Sequence, residues 1–330
     1  MKKVLNKKNA FALQKLVDYL VFPLVAILES AKKEGTALAN CSAYKALPQN
    51  KVDVVSIALK QVVSKNKSTL EDACNAILCD LSEEELERLR VTLDYQASQL
   101  NQGNYSIPVV KFKESVKYLF SDCLYGALFD NSEIWGKLEI EQMKREVFHD
   151  NFRIDNDYPA ACPYCDLDTI VSRGSLKIEH FLPKSKFPLL AVHPLNLLNA
   201  CESCNSGGFG KGSKVTDELV CPYFEEISNS VTFDFDHVSK IVEIDAESGK
   251  AGVAGFLSLL NLKERYREVN VGVQFYRRME AFISTMSFRK PVDESEIRDY
   301  LETSQGGAPL TVALCYWLEN IYIPARNYIK

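Results

Sequence analysis

No stretch of this 330-residue chain reads as a membrane span. The apolar segment from Leu16 to Leu28 contains Asp18 and Pro23 and is too short to cross a bilayer. Lys2, Lys3, Lys7 and Lys8 are followed by neither a signal-peptide core nor a cleavage site, so a cytoplasmic protein with no membrane partner is expected. Repeats and low-complexity tracts are missing, which argues against solenoid and disordered readings. Basic charge is short as well. Against 44 acidic residues stand 39 Lys and Arg, leaving a formal net charge of −5 and a sequence pI near 5.6. Free-standing nucleic-acid binders are usually basic, so the chain-wide charge opposes a simple reading of that kind. Histidine is scarce at four, and His149 and His237 stand apart from any motif.

Cysteine is not scarce, and its spacing carries the most information. Of ten, Cys41, Cys74, Cys79, Cys123, Cys221 and Cys315 are scattered singly through apolar segments, where burial as small hydrophobes is the expected fate. The other four form two tight pairs, Cys162-Pro-Tyr-Cys165 and Cys201-Glu-Ser-Cys204. Two residues between paired cysteines let both thiolates of one turn face one ion, and two such turns complete a tetrahedral S4 shell for Zn²⁺. Disulfides, a redox dithiol or plain core cysteines are the competing readings. Reduced thiols suit the cytosol, where zinc ligation is possible.

Between the pairs lie Glu179-His180, Asn196 and, directly after Cys204, Asn205. Leu176 to Phe181 alternates like a short strand, Pro183 to Pro188 reads as a loop, and Asn196 to Ala200 leads into the second cysteine turn. This order resembles the HNH endonuclease family, whose ββα-metal site has an acidic residue and a His on one strand, an Asn in the loop, and a His or Asn after the second CxxC. The match covers about residues 160 to 225. The run Glu179-His180-Phe181-Leu182-Pro183-Lys184-Ser185-Lys186-Phe187-Pro188 is most similar to the PtuB-like branch of Septu and retron anti-phage nucleases. That branch generally works beside an ATPase, so the resemblance implies a defence effector with an ATPase partner.

Hydrolysing a phosphodiester needs an activated water, relief of charge on the transition state and a stabilised leaving oxygen. His180 suits the first task, because an imidazole with a pKa near neutrality takes a proton from water at working pH. Glu179 and Asn205 offer oxygen ligands suited to catalytic Mg²⁺ or Mn²⁺. The resemblance gives Asn196 the task of holding the loop and orienting His180. Singly, each residue has a structural reading: a strand Glu-His, a helix N-cap, a turn Asn. His193, before Pro194, is expected to be a surface loop residue.

Departures from the family pattern are Glu179 where Asp is frequent, Asn205 where His is frequent, and Gly207-Gly208-Phe209-Gly210 before Lys211. The glycines are one route by which backbone amides approach phosphates. Between Val171 and Lys214 six basic residues, Arg173, Lys177, Lys184, Lys186, Lys211 and Lys214, face two acidic ones, Glu179 and Glu202, a local excess of four. Lys184, Lys186 and Lys211 are the expected substrate contacts, with Lys214 beside them.

The expected fold is mainly α with a small α+β insert: a helical domain over 1–145, the zinc-stapled ββα nuclease core over 146–225, and a β-hairpin with a helical region over 226–330. Ser68 with Glu71, and Ser82 with Glu85, read as capping boxes. Val231–Asp236 and Lys240–Asp245 alternate with period two and predict a hairpin. A helical segment follows from about Gly255, and another helix is expected from Asp293 before Gly306-Gly307. Arg265, Arg267, Arg277 and Arg278 read as a solvated helix face. DNA is the favoured substrate from the resemblance, with RNA, including structured transfer RNA, open. The rival readings are a non-catalytic zinc module that docks nucleic acid or protein, and a stand-alone restriction or homing enzyme.

Overall fold

The computed structural model describes residues 1, 3–64, 67–140, 143–208, 210–287, 295 and 308–328. The chain forms two compact units. A helical unit comprises Leu5–Asp155 with Ile178–Asn199, and a cysteine unit comprises Met1–Val4, Asn156–Lys177 and Ala200–Lys330. These do not coincide with segments 1–145, 146–225 and 226–330, because the stretch between the cysteine pairs is divided between the two.

The helical unit opens with α1 (Lys7–Leu16), a π-helical turn over Val17–Val21, and α2 (Phe22–Glu34). Phe22 N donates to Val17 O, five residues back. The widened turn directly precedes Pro23, whose ring has no N–H and would clash with a regular preceding turn. Lys7–Glu34 is therefore one 28-residue helical run, long and apolar enough to cross a membrane by length and composition. The shortness expected for Leu16–Leu28 does not hold. What the run does instead is bury 61% of its apolar window inside the protein, with Leu13, Leu16, Leu20, Leu24, Ile27 and Leu28 in the core. Around it pack α3 (Gln49–Lys60), α4 (Leu70–Asp80) and α5 (Glu83–Asn101).

Both helix starts expected from capping boxes exist, one of them shifted by a residue. Ser82 and Glu85 cap α5 reciprocally. At α4 the box is Thr69 with Asp72, not Ser68 with Glu71. Ser68 is held in the preceding turn, its carbonyl accepting from Val63 N and its N–H donating to Ser64 Oγ, so the cap falls to the next hydroxyl. Helix α6 (Arg145–Asp155) closes the helical sequence.

Strands β1 (Leu176–His180) and β2 (Leu197–Cys201) form a two-stranded sheet. The loop between them belongs to the helical unit, where Leu189, Ala191 and Val192, with Leu197 at the start of β2, enter the helical core. Tyr105 Oη donates to Leu195 O at 2.7 Å, and the Tyr105 ring meets Phe181 edge-on at 5.1 Å.

In the cysteine unit, the helical turn α7 (Glu202–Asn205) follows β2 directly. β3 (Val231–Asp236) and β4 (Ile241–Ala246) pair antiparallel from Val231 with Ala246 to Asp236 with Ile241. The hairpin stands where the alternation predicted it, except that Lys240 takes a positive φ of 57° and closes the turn instead of starting the strand. Val231, Phe233, Phe235, Val242 and Ile244 face inward. Against them lie α8 (Ala251–Leu259), α9 (Leu262–Tyr266) and α10 (Val269–Ser287), with Phe275 stacked on Phe235 at 4.7 Å. Gly272 lets α10 approach the Lys240 carbonyl more closely than any Cβ allows. A further helix, α11 (Thr311–Trp317), packs near β3. The helix start expected at Asp293 and the break at Gly306-Gly307 lie outside the described residues.

Candidate metal centre and histidine loop

The first cysteine pair sits in a tight reversal of the chain. Ile170 N donates to Ala160 O, Cys162 N to Asp168 O, and Asp166 N to Cys162 O, each at 2.8–2.9 Å, with Asp166 in the left-handed region at φ 58°. The second pair spans the end of β2 and α7, where Cys201 caps the turn by accepting from Cys204 N. Gly210 brings the chain back over this turn: an added Cβ would collide with the carbonyls of Ser203 and Cys204. Its N–H donates to Ser206 O at 3.1 Å, and Lys211 N donates to Cys204 O at 2.9 Å. Of the glycine amides in that run, that of Gly210 is thus committed to the turn.

All four cysteine sulfurs are buried and lie within 4.8 Å of one another. Cys165 Sγ and Cys201 Sγ are 3.8 Å apart, which matches the edge of about 3.8 Å in a regular tetrahedron built on zinc–sulfur bonds of ~2.3 Å. Backbone N–H groups point at the sulfurs: Leu167 N to Cys165, Cys201 N to Cys162, and Cys204 N to Cys201, each at 3.4 Å. The donor set fits a zinc ion. Burial pushes Cys162 and Cys165 up, but hydrogen bonds from neighbouring thiols outweigh it and hold Cys162 well below the ordinary thiol value. The bonds Cys201 and Cys204 make to Cys162 and Cys165 push their own thiols far up. A dication supplies the charge that lets all four ionise.

Three residues at this centre, Arg265, Asp168 and Tyr266, escaped the sequence reading. Arg265, expected on a solvated face, is 6% exposed. It donates from Nη1 to Cys204 Sγ at 3.3 Å and from Nη2 to Asp168 Oδ2 at 3.1 Å. The same Asp168 oxygen lies 3.0 Å from Cys201 Sγ. Tyr266, the next residue of α9, donates its hydroxyl to Cys165 O at 3.0 Å. No local pattern marks Arg265, since its partners stand 61 and 97 positions away.

The helical unit holds the histidine loop. Asn196 is fully buried and stitches the loop closed with three hydrogen bonds. Its Oδ1 accepts from Leu182 N at 2.7 Å, while Nδ2 donates to Leu182 O at 3.0 Å and to Leu190 O at 3.1 Å. It caps no helix. His180, at the end of β1, is 7% exposed with Nε2 3.0 Å from Ala191 O. A carbonyl only accepts, so Nε2 carries the proton and the basic lone pair of the neutral ring is on Nδ1. The ring packs edge-on to Tyr125 at 4.3 Å. Glu179 beside it is also buried. Asn205 ends α7 in the cysteine unit and is half-buried.

Two cations share the Tyr125 ring. Lys184 Nζ lies 5.2 Å from its centroid and donates to Ser121 O at 3.2 Å; the Arg145 guanidinium lies 5.0 Å from it and pairs with Asp130 at 2.9 Å. Arg145 was not singled out from sequence. Lys186 is half-buried. Lys211, expected on the substrate, is 1% exposed and donates to Gly212 O at 3.0 Å, whereas Lys214 is exposed and donates to Gly210 O at 3.2 Å. His193 is buried instead of superficial, its Nδ1 accepting from Leu195 N. His149 Nδ1 donates to Asn199 Oδ1 at 2.5 Å.

Two known proteins are similar in sequence. Protein ea31 of Escherichia phage lambda is 28% identical over 153 residues, covering 39% of this chain and 51% of its own. Septu protein PtuB of Bacillus thuringiensis is 28% identical over 104 residues, covering 32% of this chain and 36% of its own. The chain thus spans about half or less of the length of these relatives. No protein-family profile matches the chain, and no solved structure does.

Proposed function

We propose that this chain is a metal-dependent endonuclease of the HNH type, acting on DNA in preference to RNA, and the nuclease effector of an anti-phage defence system. The observation that carries the reading is the loop closed by Asn196. It fixes the carbonyl of Ala191 against His180 Nε2 and so sets the tautomer in which Nδ1 takes a proton from water. His180 is then the general base and Asn196 its positioning residue. Glu179 contributes a carboxylate oxygen, a donor that fits a hard divalent cation. Mg²⁺ or Mn²⁺, when bound, supplies charge relief at the scissile phosphate and its leaving oxygen. Lys184 and Arg145, both at the Tyr125 ring, contribute positive charge beside the histidine. Zinc at the four cysteines is structural. Similarity to Septu protein PtuB supports the defence setting, and with it an ATPase partner that delivers or licenses the nucleic acid.

The rival reading is a zinc module that docks nucleic acid or protein without cutting, and the burial of His180 favours it. Incubation of the purified chain with plasmid DNA and with RNA, in Mg²⁺ or Mn²⁺ and then in chelator, separates the two. The nuclease reading expects metal-dependent nicking that falls by about 10²–10⁴-fold in His180→Ala, with zinc content and thermal transition retained. Substrate binding without metal-dependent cleavage, or cleavage indifferent to His180→Ala, overturns it.

A further inference from the structure

Arg265 is a permanent cation in a buried setting, since guanidinium does not lose its proton in proteins. Its side chain is 7% exposed, against 38% for Asp168. One nitrogen reaches the sulfur of Cys204 and another the Asp168 oxygen that itself lies 3.0 Å from the sulfur of Cys201. Four thiolates around a dication carry a formal charge of −2. Loading exchanges thiol protons for the ion, and the hydrogen that Cys201 donates to Asp168 is lost with them. Asp168 Oδ2 would then lie beside a thiolate rather than a thiol, and the guanidinium that bridges Asp168 to Cys204 would offset the added negative charge.

We propose that Arg265 is the charge-balancing positioning residue of the four-cysteine zinc centre, and that Asp168 is tolerated beside the thiolates only through it. The proposal rests on the zinc reading of the cysteines and draws nothing from the nuclease reading. It places α9 in the metal site: Arg265 grips the second cysteine turn while Tyr266 holds the carbonyl of Cys165 in the first. Partners of ligating groups of this kind typically change metal affinity by about 10–100-fold when removed.

The test uses the full chain loaded with zinc and follows transfer of the ion to a chromogenic chelator, with a parallel sample loaded with Co²⁺. Arg265→Met is expected to release zinc about 10–100-fold faster and to move the thiolate-to-cobalt charge-transfer band to longer wavelength, because Cys204 has lost its N–H donor. Adding Asp168→Asn to Arg265→Met is expected to restore part of the retention, since the repelling carboxylate is gone; this coupling has the sign opposite to two independent losses. Arg265→Lys keeps the charge but not the two-pronged bridge, and is expected to fall between wild type and Arg265→Met in release rate. If Arg265→Met does not fold, the Lys variant and Asp168→Asn carry the test, with faster release and a shifted band expected of the former. Additive losses in the double variant, or a cobalt band that stays in place, overturn the proposal. A wild-type chain that holds zinc as firmly as its Arg265 variants overturns it alone. A wild-type chain that takes up no zinc overturns the zinc reading with it.

Discussion

His193 shows how one buried side chain sets a pH response. Burial pulls its pKa down to about 4, against ~6.5 for an unperturbed imidazole. A lowered histidine supports the fold above the unfolded value and weakens it as pH falls. Between pH ~6.5 and ~4 the unfolded chain takes a proton that the folded chain refuses, at about 1.4 kcal/mol per pH unit. Denaturant unfolding across that window should lose one proton's worth of slope in His193→Asn, which keeps an acceptor for Leu195 N. An unchanged slope would show that His193 titrates alike in both states. Asn196 is the contrasting case, important for its bonds and not for its charge. Asn196→Ala leaves Leu182 N, Leu182 O and Leu190 O without its side chain, and burial of such groups costs about 1–3 kcal/mol apiece. Its unfolding free energy should drop by about 3 kcal/mol or more, more than for His180→Ala. The order of the motif residues was legible in sequence. What Asn196 bonds to was not, because Leu182 and Leu190 become its partners only once the loop has folded back.

Helix caps test the reading of elements. Thr69→Ala should destabilise α4 by about 1 kcal/mol, as seen in thermal unfolding. Ser68→Ala, one position away, should stay within about 0.5 kcal/mol of wild type. Reversal of the two would restore the box expected from sequence. The residue types at 68–72 permit either register; the turn that holds Ser68 decides. The hairpin was legible because alternation over β3 and β4 reports burial on one face directly. The N-terminal helical run was less so. A proline inside a helix usually signals an end, and only the π turn over Val17–Val21 lets the chain pass through Pro23. Another π turn, Leu318–Tyr322, stands just ahead of Pro324 with the same bond pattern. Arg265 was misread for a related reason: five residues of α9 carry no periodicity that distinguishes a buried arginine from a solvated one.

At the scale of the whole chain, composition and structure pull the charge argument in one direction. The interleaving of the two units was not legible, since the chain passes between them inside both β1 and β2 with no linker to mark it. Charge was legible, and the structure sharpens it. Of the described basic side chains between Val171 and Lys214, Lys211 is buried, while Lys177, Lys184 and Lys186 are half-buried and Lys214 is exposed. With Arg145 beside the histidine, Lys177, Lys184, Lys186 and Lys214 make about five described cations that can meet phosphates, and each contributes about −0.9 to the slope of log K against log salt. The isolated chain, at net −5, should therefore bind duplex DNA with a slope no steeper than about −4.5 and a Kd weaker than about 10⁻⁶ M at physiological salt. Fluorescence anisotropy with a labelled duplex over a salt series measures both. Weak binding of that kind would fit the proposed partner that delivers the substrate, and adding such a partner should tighten the complex without changing the slope that belongs to this chain. Nanomolar binding by the isolated chain with a steeper slope would mean that a basic surface other than these cations holds the nucleic acid, and would remove the physical case for a partner.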